Sequence, residues 1–354
     1  MEPFVYQSQP QRVVFGSGTL ADAGAELERL GHQRAIVLST PQQAASASSL
    51  AANLGTLCAG SFTGAAMHTP IGVTEIAMAE VKGAGADCII SLGGGSTTGL
   101  GKAIALRTGL DQIVIPTTYA GSEATPILGE TAGGKKTTQR SSAILPEVIL
   151  YDIELTMSLP VMLSVTSGLN AIAHAIEALY TQERNPIISI LAIDGIRSLA
   201  AALPQIVSDP LNREARSDAL YGAWACGTCL GAVGMALHHR ICHVLGGTFD
   251  LAHSETHAVI LPHVAAFNEA AVPDLLRPAA AAVGTGQVGL GLYDFAKSLS
   301  APMTLADLGM PEADLDRAAE MVVANPYWNP RPASREDVRR LLDDAYYGRR
   351  PNLH

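Results

Sequence analysis

The sequence predicts an α/β domain followed by an all-α domain, and three observations support this. Short β-branched runs alternate with helical runs over residues 1–159. Three consecutive glycines, Gly93 to Gly95, stand between one strand-like run and a helical run. Beyond Pro160, long runs rich in alanine and leucine replace the alternation. Alternation of this kind is typical of a doubly wound, mostly parallel sheet, so we predict two domains, 1–159 and 160–354.

The individual elements follow from local patterns. Five β-branched segments are predicted strands: RVVFG, RAIVLST, DCIISLGGG, DQIVIPTT and EVILYD. Between them, LADAGAELERLG and VTEIAMAEVKGAG repeat apolar residues at helical spacing and end at glycine. In the second half, SGLNAIAHAIEALYTQ and ISILAIDGIRSLAAALPQIV predict long helices.

Composition excludes several classes of protein. Of the 354 residues, 48% are apolar and 16% are charged, which favours a well-buried core over disorder. The net charge of −10 and the lack of a basic stripe argue against a nucleic-acid partner. Five sparse cysteines suggest a reducing compartment, and the N-terminus lacks a signal-peptide pattern, so we expect a cytoplasmic protein. The uncharged run Ala219 to Leu237 is interpreted as a buried core helix, and no membrane association is predicted.

The glycine run indicates a phosphate site. Glycine permits close backbone approach, and the following helix N-terminus offers unpaired N–H groups to a diphosphate. A P-loop would need glycine where Ser96 stands, so the loop is predicted to bind a dinucleotide rather than the nucleoside triphosphate of a P-loop protein. RAIVLST ends in Ser39 and Thr40, where a nicotinamide-binding fold often carries an acid for the ribose 2′-hydroxyl. Without that acid, we expect both NADH and NADPH to be accepted.

Several motifs in order resemble the iron-containing alcohol dehydrogenase superfamily: FGSG, GGGSTTGLGK, PTTYAGSEAT, SGLNAIAHAIEAL and HHRICHVLGGTFDLAH. The resemblance implies an N-terminal dinucleotide-binding α/β domain, a helical C-terminal domain and an active site in the cleft between them. Three details resemble the maleylacetate reductase subfamily. Gly99 replaces the usual aspartate, PTTYAGSE is one residue short, and NPYWNPRP lies near the C-terminus.

The resemblance assigns the cofactor contacts by position. Its pyrophosphate residues would be Gly94, Gly95, Ser96 and Thr97. Ser39 is predicted at the ribose corner from its place at the end of RAIVLST. Thr117 and Thr118 would approach the nicotinamide, and Lys136 would also contact the cofactor.

The histidines are the predicted catalytic residues. Metal-dependent relatives use an aspartate and a histidine one turn apart and two further histidines; here the first pair is Asn170 and His174. An amide supplies no negative charge to a metal, so we expect no tightly held catalytic ion. We predict His243 as proton donor, His239 and His253 as substrate contacts and His174 as their support. Asn170, His238 and Tyr119 are the predicted substrate-binding residues. If a metal is present, its predicted ligands are His174, His239 and His253.

The implied activity is NAD(P)H-dependent reduction of the enone double bond of maleylacetate to 3-oxoadipate, in the degradation of aromatic compounds. The implied partners are a small dicarboxylate substrate and a second copy in a homodimer. One alternative is a metal-dependent alcohol or polyol dehydrogenase, against which Asn170 and Gly99 argue. A dehydroquinate synthase-like lyase is a further alternative, and it would show no net turnover of nicotinamide.

Overall fold

The computed structural model describes residues 3–133, 135–325 and 327–352, without the side chains of residues 135 and 136. The chain forms two compact units, one of Ser8–Leu159 and one of Met1–Gln7 with Pro160–His354. The sequence analysis assigned the first seven residues to the α/β domain. In the structure this segment groups with the helical unit, where Pro3 and Phe4 line a surface pocket with Pro186.

A six-stranded sheet forms the core of the α/β unit. The strands of this unit are β1 (Arg12–Gly16), β2 (Ala35–Leu38), β3 (Cys58–Phe62), β4 (Cys88–Gly93), β5 (Asp111–Pro116), β6 (Ile127–Ala132), β7 (Lys135–Arg140) and β8 (Val148–Asp152). Their order in the sheet is β1-β8-β5-β4-β2-β3, and every pairing in it is parallel. The strands β6 and β7 form a separate antiparallel hairpin.

Helices cover both faces of this sheet. The helices are α1 (Ala23–Arg29), α2 (Ala44–Leu54), α3 (Ile71–Ala84) and α4 (Gly95–Thr108). α1 and α2 pack on the face that carries Ile90 and Ile113, whereas α3 and α4 pack on the face that carries Ile89. The chain leaves the neighbouring strands β2 and β4 toward opposite faces, which makes the carboxyl ends of this pair a topological switch point. Open α/β sheets bind ligands at such a point.

The predicted α/β and helical fold classes are confirmed, but the sequence analysis missed three strands. β3 reads CAGSF and contains no β-branched residue, so its strand conformation comes from pairing with β2. β6 and β7 were missed as well, because their polar and glycine-containing sequences show no apolar alternation.

A buried lysine fixes the segment that follows β5. Lys102 lies in α4 and is 1% exposed. Its Nζ donates hydrogen bonds to the carbonyl oxygens of Ser122 and Thr125 at 2.6 Å and of Ile127 at 3.0 Å. Burial lowers the pKa of Lys102 to about 7, although the carboxylate of Glu123 opposes that shift.

Replacing Lys102 by methionine is expected to lower the free energy of unfolding by about 3 kcal/mol, because three buried carbonyls lose their donor. Urea unfolding monitored by circular dichroism measures this change. Lys82→Met on the exposed side of α3 is the matched control and should change stability little. Equal stability of the two variants would contradict the structural role of Lys102.

The second unit is built from helices throughout its described residues. They are α5 (Val161–Tyr180), α6 (Pro186–Ser208), α7 (Arg213–Ala232), α8 (Leu237–Phe249), α9 (His253–Glu269), α10 (Pro273–Ala282), α11 (Val288–Ser298), α12 (Leu315–Val323) and α13 (Arg335–Tyr346). α5 packs against α6, α7 and α9, and its residues from Ser164 to Tyr180 are all buried. α8 packs against α9 and α12. α5, α8 and α9 therefore bring their polar residues into one buried region.

One described helix, α6, has the length and hydropathy needed to span a membrane. α7 and α8 meet the same test only as a pair, and they bend by 98° at their junction. The run Ala219 to Leu237 thus divides between α7 and the turn before α8, and its cysteines Cys226 and Cys229 are buried free thiols. Core helices of soluble proteins satisfy the same criteria, so this observation is weak evidence for a membrane span.

Candidate active site

The glycine loop after β4 requires small residues by geometry. Gly93 has a φ of +154°, and a Cβ on it would lie 2.4 Å from Oγ1 of Thr97. A Cβ on Gly94 would lie 2.8 Å from Cγ2 of Thr118. Helix α4 begins at the next residue, the exposed Gly95. The backbone here is open to a close-lying ligand at a helix N-terminus.

Unused hydroxyl groups surround this loop. Oγ1 of Thr97, Oγ1 of Thr98 and Oγ of Ser122 are buried without a hydrogen-bond partner in the described part of the chain. Thr117 is held differently, since its hydroxyl accepts a hydrogen bond of 2.8 Å from Nε2 of Gln43. Ser96 lies half-buried in the first turn of α4. Buried hydroxyls that lack partners in the protein are suited to phosphate oxygens.

Gly94→Ala is expected to weaken dinucleotide binding about tenfold, because the new methyl group contacts Thr118 and displaces the loop. Fluorescence titration with NADH measures the dissociation constant. Gly83→Ala in α3 is the matched control, since a Cβ there would meet no atom within 4 Å. An unchanged affinity in Gly94→Ala would remove this loop from the cofactor site.

The predicted ribose corner is more enclosed than the sequence suggested. Ser39 is completely buried, and its hydroxyl donates a hydrogen bond to the carbonyl oxygen of Thr40 at 3.1 Å. Thr40 itself is half-buried and precedes α2. Thr40 is therefore the better position at which to introduce an acid.

Two further predicted contact residues of this unit are Tyr119 and Lys136. Tyr119 is completely buried after β5. The backbone of Lys136 pairs with Thr131 in the β6–β7 hairpin, but its side chain lies outside the described residues. The assigned roles of Tyr119 and Lys136 stay predictions.

Six histidines of the helical unit lie together and are here called the imidazole cluster: His174, His238, His239, His243, His253 and His257. His174 comes from α5, and the others lie on α8 and α9. The ring centroids of His174 and His239 are 5.0 Å apart, those of His239 and His243 6.1 Å, and those of His253 and His257 4.5 Å. The structure thus brings together every histidine that the sequence analysis selected.

A buried carboxylate orients this cluster. Glu177 lies one turn after His174 on α5, and its Oε2 lies 2.7 Å from Nδ1 of His239. The backbone N–H groups of Ala236 and His238 donate to the same carboxylate at 2.9 and 2.8 Å. Burial by itself would raise the pKa of Glu177, but the hydrogen bond from His239 and nearby imidazoles lower it overall. Glu177 is thus an anion that accepts a hydrogen bond from Nδ1 of His239, so that Nε2 of the same ring is available to a ligand.

His257 occupies the middle of the cluster. Its Nδ1 lies 2.9 Å from Nε2 of His238, and its ring is 5.1 Å from that of His239. Its own Nε2 is buried without a partner among the described residues, as are Nδ1 of His174 and Nε2 of His239. These atoms are available to a ligand.

Burial favours the neutral form of three of these rings. It lowers the pKa of His238 to about 3, and together with neighbouring imidazoles it lowers the pKa of His174 and His257 well below their ordinary value. His243 and His253 are only half-buried, so the cluster meets solvent on their side. A ligand would therefore reach the cluster past these two histidines.

Comparison with known proteins places these features in a family. The model of the iron-containing alcohol dehydrogenases matches residues 10–153, and the model of the C-terminal part of the same family matches residues 164–346. The chain belongs to the iron-containing alcohol dehydrogenase family. The resemblance predicted from its motifs is thereby confirmed.

Within the family, several full-length relatives are named maleylacetate reductase. A maleylacetate reductase of Rhizobium sp. (strain MTP-10005) is 60% identical over 99% of this chain and all of the relative. A maleylacetate reductase of Burkholderia cepacia is 50% identical over the same shares. The crystal structure of maleylacetate reductase from Agrobacterium tumefaciens superposes with a TM-score of 0.96, at 60% identity over 99% of this chain and 100% of that one.

The metal that the family name implies can be tested against these residues. Oδ1 of Asn170, Nδ1 of His174 and Nε2 of His239 are all buried without partners, so unpaired donor atoms exist. None of these atoms is a carboxylate oxygen, however, and the carboxylate of Glu177 is committed to His239 and two backbone amides. Iron favours an anionic oxygen ligand, and the amide at position 170 does not supply one. The set therefore does not fit the family's metal by charge.

Sequence reasoning missed two members of this site. Glu177 lies within the quoted motif SGLNAIAHAIEAL, three residues after His174, and a helix places residues at that spacing on one face. His257 lies four residues after His253 and carries the same signal. A one-turn spacing alone does not distinguish a residue that orients the site from one that only packs in the helix.

Proposed function

We propose that this protein reduces the carbon–carbon double bond of maleylacetate, giving 3-oxoadipate, with NADH or NADPH as hydride donor. Curated relatives at 45–60% identity over almost the whole chain carry the name maleylacetate reductase. The observation that carries the proposal is the imidazole cluster with Asn170, a site rich in nitrogen donors whose metal-ligand set lacks a carboxylate. A nicotinamide cofactor is supported by the glycine loop and by the family.

The reaction needs one hydride and one proton. The hydride adds to the alkene carbon distal to the ketone, and negative charge develops on the ketone oxygen as an enolate. Protonation of the carbon next to the ketone then completes the reduction and leaves oxidised nicotinamide. Enolate formation from an enone is activated by conjugation, so hydrogen-bond donors suffice to stabilise the oxyanion.

Six residues of this chain take part in the proposed reaction. The carboxylate of Glu177 balances a proton on His239, so that Nε2 of His239 donates to the enolate oxygen. The neutral rings of His174 and His257 can each donate one N–H hydrogen bond to the substrate. The side-chain amide of Asn170 supplies a further hydrogen-bonding group. His243, half-buried at the solvent side, is the proton donor to carbon and is refilled from water.

Purified protein, NADH and maleylacetate in the presence of a strong chelator test this function. We expect NADH oxidation with 3-oxoadipate as the product and little change on chelation. The alcohol dehydrogenase alternative would be favoured if the enzyme reduced simple aldehydes in preference to maleylacetate. That activity would have to be lost on chelation and restored by metal. Absence of net nicotinamide turnover would exclude both reductases.

Thr40→Asp is expected to impair NADPH more than NADH by about tenfold in kcat/KM, because a carboxylate near the ribose repels a 2′-phosphate. The wild-type enzyme should accept both donors. Steady-state kinetics with each cofactor measure the change. Equal effects on the two cofactors would place the ribose elsewhere.

A further inference from the structure

A second group of potential metal ligands combines two histidines of the imidazole cluster with a buried cysteine. Among the described residues, His238, Cys242 and His257 bring a sulfur and two nitrogen atoms within 4.8 Å of one another. All three side chains are at most 2% exposed. This group shares no residue with the set at which the family would place its metal, which here consists of Asn170, His174, His239 and His253.

The distances are close to those of a zinc site. Zinc binds sulfur at about 2.3 Å and imidazole nitrogen at about 2.1 Å, so tetrahedral geometry separates two nitrogens by about 3.4 Å and a nitrogen from sulfur by about 3.6 Å. Sγ of Cys242 lies 3.7 Å from Nε2 of His238. Nε2 of His238 and Nδ1 of His257 lie 2.9 Å apart as a hydrogen-bonded pair. A separation of the two rings by about half an ångström would admit the ion.

The backbone already fixes the ligands in register. His238 and Cys242 are one turn apart on α8, and His257 approaches from α9, which packs against α8. The backbone N–H of His238 is held by Glu177 at 2.8 Å. Little conformational entropy would be lost on binding, because these side chains are buried and packed.

We propose that His238, Cys242 and His257 form a binding site for a thiophilic ion, Zn²⁺ in the first place. As a thiolate, the cysteine supplies a negative charge, which the neutral Asn170 does not supply to the family's site. Its soft sulfur also favours zinc over iron. On binding, the thiol releases one proton to solvent. The proton shared between the two rings moves to an outer nitrogen, so that both facing lone pairs reach the ion.

Occupancy would also determine the proton on His257. With Nδ1 bound to metal, the proton of this ring must be on Nε2, the atom that is otherwise buried without a partner. The ion would thus set His257 as a hydrogen-bond donor without contacting substrate itself. This consequence for the donor role of His257 rests on the proposed function, whereas the existence of the site does not.

Anaerobic titration of chelator-treated protein with Co²⁺ tests the site directly. We expect one equivalent to bind with the near-ultraviolet charge-transfer absorption of a cobalt–thiolate bond, and Zn²⁺ to displace it. Cys242→Ser and Cys242→Ala should abolish that absorption and weaken zinc binding by at least about a hundredfold, since losing even a partner that only orients a ligand can cost that much. Cys229→Ser, which removes another buried thiol of the same unit, should retain it.

Three results would overturn the proposal: no binding of stoichiometric Co²⁺, binding without thiolate absorption, or absorption that survives in Cys242→Ser. Circular dichroism and NADH binding establish that each variant is folded. Activity with maleylacetate is measured separately, so a thiolate-bound metal in a protein that does not reduce maleylacetate would refute the proposed function and leave this site standing.

Discussion

His243→Ala is expected to lower kcat for maleylacetate reduction by about a hundredfold or more, the usual cost of losing a general acid. NADH affinity should stay the same, because the cofactor loop lies in the α/β unit. His243 is half-buried in α8 with its ring 6.1 Å from that of His239, a position that combines contact with the cluster and access to water. Single-turnover kinetics at saturating substrate isolate this step.

Two comparisons sharpen that experiment. His243→Gln retains a hydrogen-bonding side chain without the ability to transfer a proton, so it should be nearly as impaired as the alanine variant. His32→Ala, in the α/β unit where His32 pairs with Asp111, should leave kcat unchanged. A kcat near the wild-type value in His243→Ala would transfer the proton-donor role to another histidine.

Glu177→Gln is expected to reduce kcat/KM by about a hundredfold, the upper range for a partner that orients a functional histidine. The amide keeps the size of the side chain and can still accept from a backbone N–H. It loses the negative charge that balances a proton on His239, with which Oε2 of Glu177 now pairs at 2.7 Å. The donor to the enolate oxygen is thereby weakened.

A merely structural role for Glu177 would lower stability but not alter the pH dependence of the reaction. We therefore expect the acid limb of the wild-type pH profile, where the carboxylate of Glu177 takes up a proton at its lowered pKa, to be missing from the Glu177→Gln variant. Glu183→Gln, in the segment after α5, is the control for loss of an acid in the same unit. A parallel pH profile in Glu177→Gln and wild type would contradict the electrostatic role.

The sequence by itself determined the two-part organisation of the chain. Hydrophobic periodicity is local, so five strands of the sheet, the glycine loop and the helices that flank it could be read from short segments. Motif spacing likewise selected Asn170, His174, His239, His243 and His253, because positions one turn apart on a helix share a face. The replacement of aspartate by Asn170 is visible in the sequence alone, and it removes the negative charge from the set of residues that binds metal in the family.

Tertiary structure decided what surrounds those residues. β3 is a strand because it pairs with β2, and its own sequence has little strand preference. Only packing shows that Ser39 is enclosed while Thr40 is accessible. The pairing of Glu177 with His239 and the contact of His238 with His257 join separate helices. Such contacts depend on how helices cross, and helix crossing is set by side-chain packing over the whole unit rather than by any local pattern.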